Sequence, residues 1–294
     1  MIVITTPTGD IGSQLLTTLL SHDEELRVIV RDPAKLPDAV RGRVDIVTGS
    51  HGDPEVVGKA FADADAVFWI VPPNSQAVSL EAAFSGFTRA AADAFTSSGV
   101  THVVGVSALG RGTPVAGSAG LVTASLAMDD LIGGTGVAYR ALANPSFMDN
   151  LLRQVSSIRD HGVFTDTVAP DRLAPSASTG DIAAVAARLL LDRSWTGVDS
   201  VPVLGPEDIS AADMARIMSD VLGRPIRYER ETLETLGARL TGFGLGDAFV
   251  GGMVDMMRAK ENGLDDGVAR TVENSTPTTF RQWCELVLKP AVNA

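Results

Sequence analysis

From the first residue onward, the chain alternates short uninterrupted apolar runs with longer stretches whose apolar residues recur every third or fourth position. The runs Ile2-Thr5, Leu26-Val30, Val44-Thr48, Ala66-Val71, His102-Val106 and Val137-Leu142 are Val- and Ile-rich, the pattern of strands buried on both faces. Between them, Ile11, Leu15, Leu16 and Leu19 mark one helix, and Phe84, Phe87, Ala91 and Phe95 a longer one. This alternation predicts βαβ units and therefore an α/β protein with a Rossmann-type, doubly wound parallel sheet.

After about residue 150 the rhythm loosens. Thr179 and Asp181 ahead of Ile182-Ala183-Ala184-Val185-Ala186 predict a helix start, a strand is expected at Val201-Leu204, and Ser210 with Asp213 three residues on predicts a capped helix through Met218. From Leu233 to Asn262, Gly242-Phe243-Gly244-Leu245-Gly246 should separate two helices. The expected organisation is a dinucleotide-binding core over 1–150 and a smaller, mainly helical substrate lobe over 151–294 that also supplies sheet-edge strands; the boundary is soft, since a strand of the second half could return to the main sheet.

The segment Thr6-Pro7-Thr8-Gly9-Asp10-Ile11-Gly12 lies between the first strand and the first helix. A dinucleotide fold needs a tight glycine turn there, with free N–H groups and the positive helix end facing a pyrophosphate. Gly9 allows close approach to phosphate and Gly12 allows the helix to pack on the strand, while Thr6 stands where the first glycine of the turn normally lies. Nineteen residues past Gly12, where an NAD-specific protein carries an acid for the ribose, the second strand ends in Arg31. A guanidinium there forks onto a 2'-phosphate, and Lys35 adds charge, so NADP(H) is the favoured cofactor and NAD(H) the alternative, with Asp32 as the candidate ribose acid.

Composition narrows the partners. A net charge of -12 argues against a nucleic-acid groove or an anionic membrane surface, both of which need a clustered positive field. The single cysteine, Cys284, excludes an internal disulfide framework and suits a reducing compartment. The chain opens without the basic and long apolar regions of a secretory signal, and its longest apolar stretches, such as Ala183 to Leu191, fall short of the roughly 20 residues that span a bilayer. A cytoplasmic protein, monomeric or homodimeric, is expected. The four histidines are too scattered for a metal site, and no G-x-S-x-G elbow is present.

The sequence resembles the NmrA-like branch of the atypical short-chain dehydrogenase/reductases, which includes NAD(P)H-dependent quinone reductases. The likeness is carried by Thr8-Gly9-Asp10-Ile11-Gly12, Val30-Arg31-Asp32-Pro33-Ala34-Lys35, Val47-Thr48-Gly49-Ser50-His51-Gly52-Asp53, Ser107-Ala108, Phe147-Met148-Asp149-Asn150 and Gly180-Asp181-Ile182. It implies a cofactor lying across the carboxyl ends of the first five strands. Thr6, Thr8, Asp10 and Ile11 would surround the pyrophosphate, Arg31 the adenosine phosphate, and Ser50 and His51 the adenine. Val71, Pro72, Pro73 and Asn74 would pass beneath the nicotinamide ribose.

A conventional short-chain reductase protonates its substrate with a tyrosine and a lysine four residues later, aided by a serine after the fifth strand. Only the serine, Ser107, is in place: neither Tyr139 nor Tyr228 has a lysine at that spacing, and Ser125 aligns with the lysine that NmrA-like reductases keep. The acid pairs Asp129-Asp130 and Asp265-Asp266 read as solvated faces. Hydride transfer to an electron-poor quinone does not require a protein acid, and a flat apolar cavity then supplies proximity. Trp69, Met148 and Met253 are candidates for its wall but each reads more readily as core; Asn74, Phe147, Asn150 and Phe243 are the substrate-side expectations.

The expected function is therefore NAD(P)H-dependent reduction of a quinone or polycyclic aromatic, with aromatic natural-product tailoring as one setting and oxygen-dependent hydroxylation (a net monooxygenase outcome) as one outcome, because reduced hydroquinones can react with oxygen. The alternative is a non-enzymatic redox sensor of the same fold that passes cofactor state to a protein partner.

Overall fold

The computed structural model describes all residues, Met1–Ala294. Its strands are β1 (Ile2–Thr5), β2 (Leu26–Val30), β3 (Asp45–Thr48), β4 (Ala66–Trp69), β5 (His102–Ala108), β6 (Ala138–Asn144), β7 (Ser146–Phe147), β8 (Val163–Asp166), β9 (Ala174–Ala177), β10 (Val198–Pro202), β11 (Asp208–Ile209) and β12 (Arg227–Arg230). The helices that matter below are α1 (Asp10–Leu19), α2 (Asp38–Arg41), α3 (Pro54–Phe61), α4 (Phe87–Ser98), α5 (Leu121–Gly133), α6 (Val155–His161), α7 (Thr179–Leu191), α8 (Ala211–Leu222), α9 (Leu233–Gly242) and α10 (Asp247–Glu261).

Seven strands form one parallel sheet in the order β10-β6-β5-β4-β1-β2-β3. The order reverses direction beside β1, and at such a switch point diverging connections leave a crevice above the carboxyl ends of the strands. The first half of the chain follows the expected strands closely. β4 stops at Trp69, short of the expected Val71, because the backbone N–H of Ile70 is taken by the Thr5 hydroxyl (3.0 Å) and Pro72 and Pro73 carry no ladder donor. The last sheet strand lies at Val198–Pro202, earlier than the expected Val201-Leu204, and Leu204 instead bridges to Ser275.

The sheet is covered on both faces. On one, α1 and α7 pack over Ile4, Phe68, Val104 and Leu142; on the other, residues of α3, α4 and α5 pack over Val67, Trp69, Val103 and Tyr139. A separate core joins α6, α8 and the C-terminal helical segment around Ile158, Met218, Phe280 and Trp283. The second half thus supplies the edge strand β10 and the covering helix α7 to the main layer, besides its own lobe. The cap of α7 is Ser178, whose hydroxyl accepts from Asp181 N–H, one residue before the expected position; Thr179 bonds Asp149 instead. Ser210 caps α8 through Asp213 N–H, as its spacing predicts. No helix is long and apolar enough to cross a membrane.

The helical pair α9 and α10 is tied to the turn that follows β4. The Gly246 N–H donates to Ser75 O (2.8 Å), and Gln76 Nε2 donates to Gly244 O (2.7 Å). Next to them, α10 runs so close to the start of α5 that a Cβ on Gly120 would stand 2.1 Å from the Gly252 carbonyl oxygen.

Candidate active site

The turn after β1 is built around Thr6. Its φ of 47° lies in the left-handed region, which a β-branched residue enters only under constraint. The constraint is visible: Thr6 O accepts from Gly9 N–H (3.0 Å), and a Cβ on Gly12 would lie 2.1 Å from that same oxygen. Helix α1 therefore begins pressed against the turn. Gly9 caps it without a side-chain hydrogen bond, which leaves the first-turn N–H groups free and the positive helix end uncovered. Nothing but Thr6 O comes within 4 Å of a Cβ built on Gly9, so a ligand can approach the backbone there. The Thr6 hydroxyl is buried without a partner, and an orphaned hydroxyl beside free helix N–H groups fits a phosphate oxygen. The turn fits the pyrophosphate of a dinucleotide; Thr8 and Asp10 lie exposed on its outer side, and Ile11 is core.

At the end of β2, Arg31 and Lys35 are both exposed, and neither forms a salt bridge. Asp32, the candidate ribose acid, has one carboxylate oxygen engaged: it accepts from Ala34 N–H (3.0 Å) and caps the turn Pro33–Lys35. Ser50 and His51 follow β3. The Ser50 hydroxyl accepts from Gly52 N–H (3.3 Å). The His51 ring is buried, edge-on to Trp69 and Phe87 at 5.1 and 4.9 Å, with Nε2 3.0 Å from Ile70 O. A carbonyl can only accept, so Nε2 carries the proton and Nδ1 is left as an acceptor. Burial, reinforced by the Arg31 charge, pulls the His51 pKa down to about 4, against the opposing hydrogen bond to Ile70; the ring is neutral at physiological pH.

On the turn after β4, where the nicotinamide ribose is expected, Val71 and Pro72 are half-buried, while Pro73 and Asn74 are exposed; α9 and α10 touch this turn through Ser75 and Gln76. Phe243, 70 % exposed, sits directly before Gly244 in that contact. Phe147 is half-buried and packs on the α1/α7 side, and Asn150 is exposed. Trp69 and Met148 are core residues, 0 % and 3 % exposed, and Met253 is half-buried. At the end of β6, Asn144 was not singled out by the sequence. Its Nδ2 donates to Ser107 O (3.0 Å) and Leu142 O (2.7 Å), which assigns the amide orientation, and its Oδ1 is buried without a donor.

Ser107 faces α5, and what it meets there corrects the reading of Asp129-Asp130 as a solvated pair. Asp129 is 4 % exposed. Its Oδ2 accepts from the Ser107 hydroxyl at 2.5 Å, its Oδ1 accepts from the Tyr139 hydroxyl at 2.6 Å, and Ser125 Oγ lies 3.4 Å from Ser107 Oγ. Arg111 pairs with Asp130 at 2.9 Å and reaches within 3.9 Å of Asp129. Burial raises the Asp129 pKa to about 6 despite the two hydroxyl donors, and burial with the neighbouring carboxylate pushes Tyr139 well above its ordinary value. Gly105 is required beneath this group, since a Cβ there would meet the Tyr139 hydroxyl oxygen at 2.3 Å. Asp265 likewise proves buried, paired with Lys260 at 2.7 Å.

A parallel switch-point sheet with a glycine turn pressed onto its first helix defines a dinucleotide-binding α/β protein. The chain belongs to the NAD(P)H-binding family, which it matches over residues 7–193, and it is an NAD(P)H-dependent oxidoreductase. It is 27% identical to an NAD(P)H azoreductase of Xenophilus azovorans, over 97% of this chain and 96% of that protein. It is 24% identical to quinone oxidoreductase 2 of Escherichia coli strain K12, over 91% and 89% of the two chains. The crystal structure of an Escherichia coli NADPH-dependent quinone oxidoreductase complexed with NADPH superposes with a TM-score of 0.75 at 22% identity, covering 96% of this chain and 98% of that one.

Proposed function

We propose that the protein reduces quinones and azo compounds with NADPH. The observation that carries this reading is the combination, at the carboxyl ends of the adjacent strands β1 and β2, of a glycine turn with an unpartnered Thr6 hydroxyl and a free guanidinium at Arg31, with a helical pair tied to the turn after β4. The relatives named for azo and quinone reduction share nearly the whole chain, lobe included.

NADPH, when bound, supplies hydride. The protein's own residues do the rest. Thr6, Gly9 and Gly12, with the first N–H groups of α1, hold the pyrophosphate; Thr8, Asp10 and Ile11 shape that turn. Arg31 and Lys35 take the 2'-phosphate, and Ser50 and the neutral His51 flank the adenine. Val71, Pro72 and Pro73 carry the ribose, and the orphaned Asn144 Oδ1 is an acceptor suited to a carboxamide N–H. Asn74, Phe147, Asn150 and Phe243 are assigned to the acceptor, with the Phe147 and Phe243 rings offering flat apolar surface to a planar molecule. Ser107 is the hydroxyl that meets the reduced heteroatom. For polycyclic acceptors, hydroxylation in aromatic natural-product tailoring would need a further step outside this reduction, in which the electron-rich hydroquinone adds O2 at a ring carbon and the hydroperoxide loses one water, leaving one oxygen on the ring.

The test follows reduced-nicotinamide absorbance with purified protein, NADPH, and a panel of naphthoquinones, anthraquinones and azo dyes. Consumption dependent on both protein and acceptor is expected. Tight NADPH binding without turnover on any acceptor would overturn the reductase reading in favour of a cofactor sensor.

A further inference from the structure

The missing Tyr-Lys pair leaves open where the proton comes from. Building on the reductase reading above, we propose that Asp129 is the internal proton source of the site and that Ser107 relays its proton to the reduced acceptor. Asp129 is positioned for this and touches neither acceptor nor cofactor, whereas Ser107 stands at the carboxyl end of β5.

The geometry is a short vertical chain. Tyr139 from β6 fixes Asp129 Oδ1, Ser107 from β5 lies 2.5 Å from Oδ2, and Ser125 of α5 lies 3.4 Å from the Ser107 oxygen. The charged groups facing the carboxyl are Arg111, from the loop after β5, at 3.9 Å, and Asp130 beside it on α5. Tyr139 cannot be the source, because it is fully buried and holds its proton more tightly than a free phenol. Burial places Asp129 at about 6, where a carboxyl is largely neutral in mildly acidic solution yet still acidic enough to donate. When Asp129 is protonated, the Asp129–Ser107 hydrogen bond runs from carboxyl to hydroxyl, and this frees the serine hydrogen for a second partner.

The balance is simple. Hydride addition leaves the acceptor with a negative oxygen or nitrogen. That atom takes the Ser107 hydroxyl hydrogen while Ser107 takes the carboxyl hydrogen of Asp129; one O–H bond breaks at each donor, one bond to hydrogen forms at each recipient, and the charge ends on Asp129. Arg111, 48% exposed, stabilises that charge and connects the carboxylate to solvent, from which it is reprotonated.

The experiment compares wild type with Asp129→Asn and Tyr139→Phe, using 2-methylnaphthoquinone and a chlorinated benzoquinone whose hydroquinone anion needs no proton near neutrality. Wild-type kcat with the naphthoquinone should fall as pH rises through about 6. Asp129→Asn should lower it by about 100-fold, the scale of general acid catalysis, remove the pH dependence, and leave the chlorinated acceptor within a few-fold of wild type. Tyr139→Phe, which deletes a donor that favours the carboxylate, should shift the falling limb to higher pH. Independently of turnover, infrared titration of the cofactor-free protein should show one protonated carboxyl disappearing over the same range, absent in Asp129→Asn. Wild-type turnover with unchanged pH profiles in both variants overturns the proposal alone; wild-type protein that binds NADPH and reduces nothing overturns the reductase reading and this proposal with it.

Discussion

The carbonyl oxygen of Thr6 occupies the space that a Cβ on Gly12 would need, only 2.1 Å away. The turn and the first helix are therefore one rigid object, and Gly12 is the residue that permits their contact. In Gly12→Ala the helix must retreat from the turn, which costs roughly 1–3 kcal/mol by the measure of overpacked cores. A lowered Tm and at least a tenfold weaker NADPH affinity by fluorescence titration are expected. Unchanged values of both would mean that the turn adapts freely.

Arg31 is exposed and free of salt bridges while Asp32 is occupied as a cap. Arg31→Ala should weaken NADPH binding by about 10- to 100-fold, the worth of a charge-assisted hydrogen bond or two, and leave NADH within about twofold. Competitive titration with the two cofactors decides this; equal losses would remove Arg31 from phosphate recognition.

His51 adds a pH dependence of defined sign. Its folded pKa of about 4 lies below the unfolded 6.5, so between those values the unfolded chain binds the extra proton. The stability this ring contributes is present above pH 6.5 and is lost as pH falls, to a total of about 3 kcal/mol once pH is below 4. Asp129 opposes it: its folded value is raised to about 6, so its burial is a penalty at neutral pH that is relieved as pH falls through the same window. The difference between wild type and His51→Phe isolates the histidine: their Tm gap should shift in favour of the variant from pH 7.5 to pH 4.5. A gap independent of pH would contradict the buried neutral ring.

Lys260 and Asp265 form a pair whose side chains are 11% and 6% exposed. Lys260→Met strands a buried carboxylate and should cost about 3–5 kcal/mol, whereas replacing both residues with apolar ones should cost much less. Chemical denaturation of the single and double variants gives the comparison, and a double variant no better than the single would show that the lysine stem, not its charge, holds the segment.

How much of this was legible beforehand depends on how local the controlling interactions are. Strands β1 to β6, helix α1, the cap of α8 by Ser210, and the glycine break between α9 and α10 are all written within windows of a dozen residues, since buried parallel strands and caps impose residue types at fixed local spacing. The tight turn before α1 was legible for the same reason, down to Thr6 standing in a glycine position with φ in the left-handed region. The end of β4 was misplaced because a side chain 65 residues away, that of Thr5, captures the Ile70 N–H.

Asp129 shows where local reading stops. Helix α5 is apolar or small on nearly every face, so its sequence does not reveal which of Asp129 and Asp130 turns inward; that phase is set by Ser107 and Tyr139, one on each of two strands. The chain's own order of residues determined a dinucleotide-binding fold and the tight turn pressed onto its first helix, because those depend on backbone geometry and nearest neighbours. The buried carboxyl behind Ser107, the neutral His51 and the lobe seated on Ser75 and Gln76 were decided only by tertiary packing, because burial and partnership between residues distant in sequence are properties of the assembled layers.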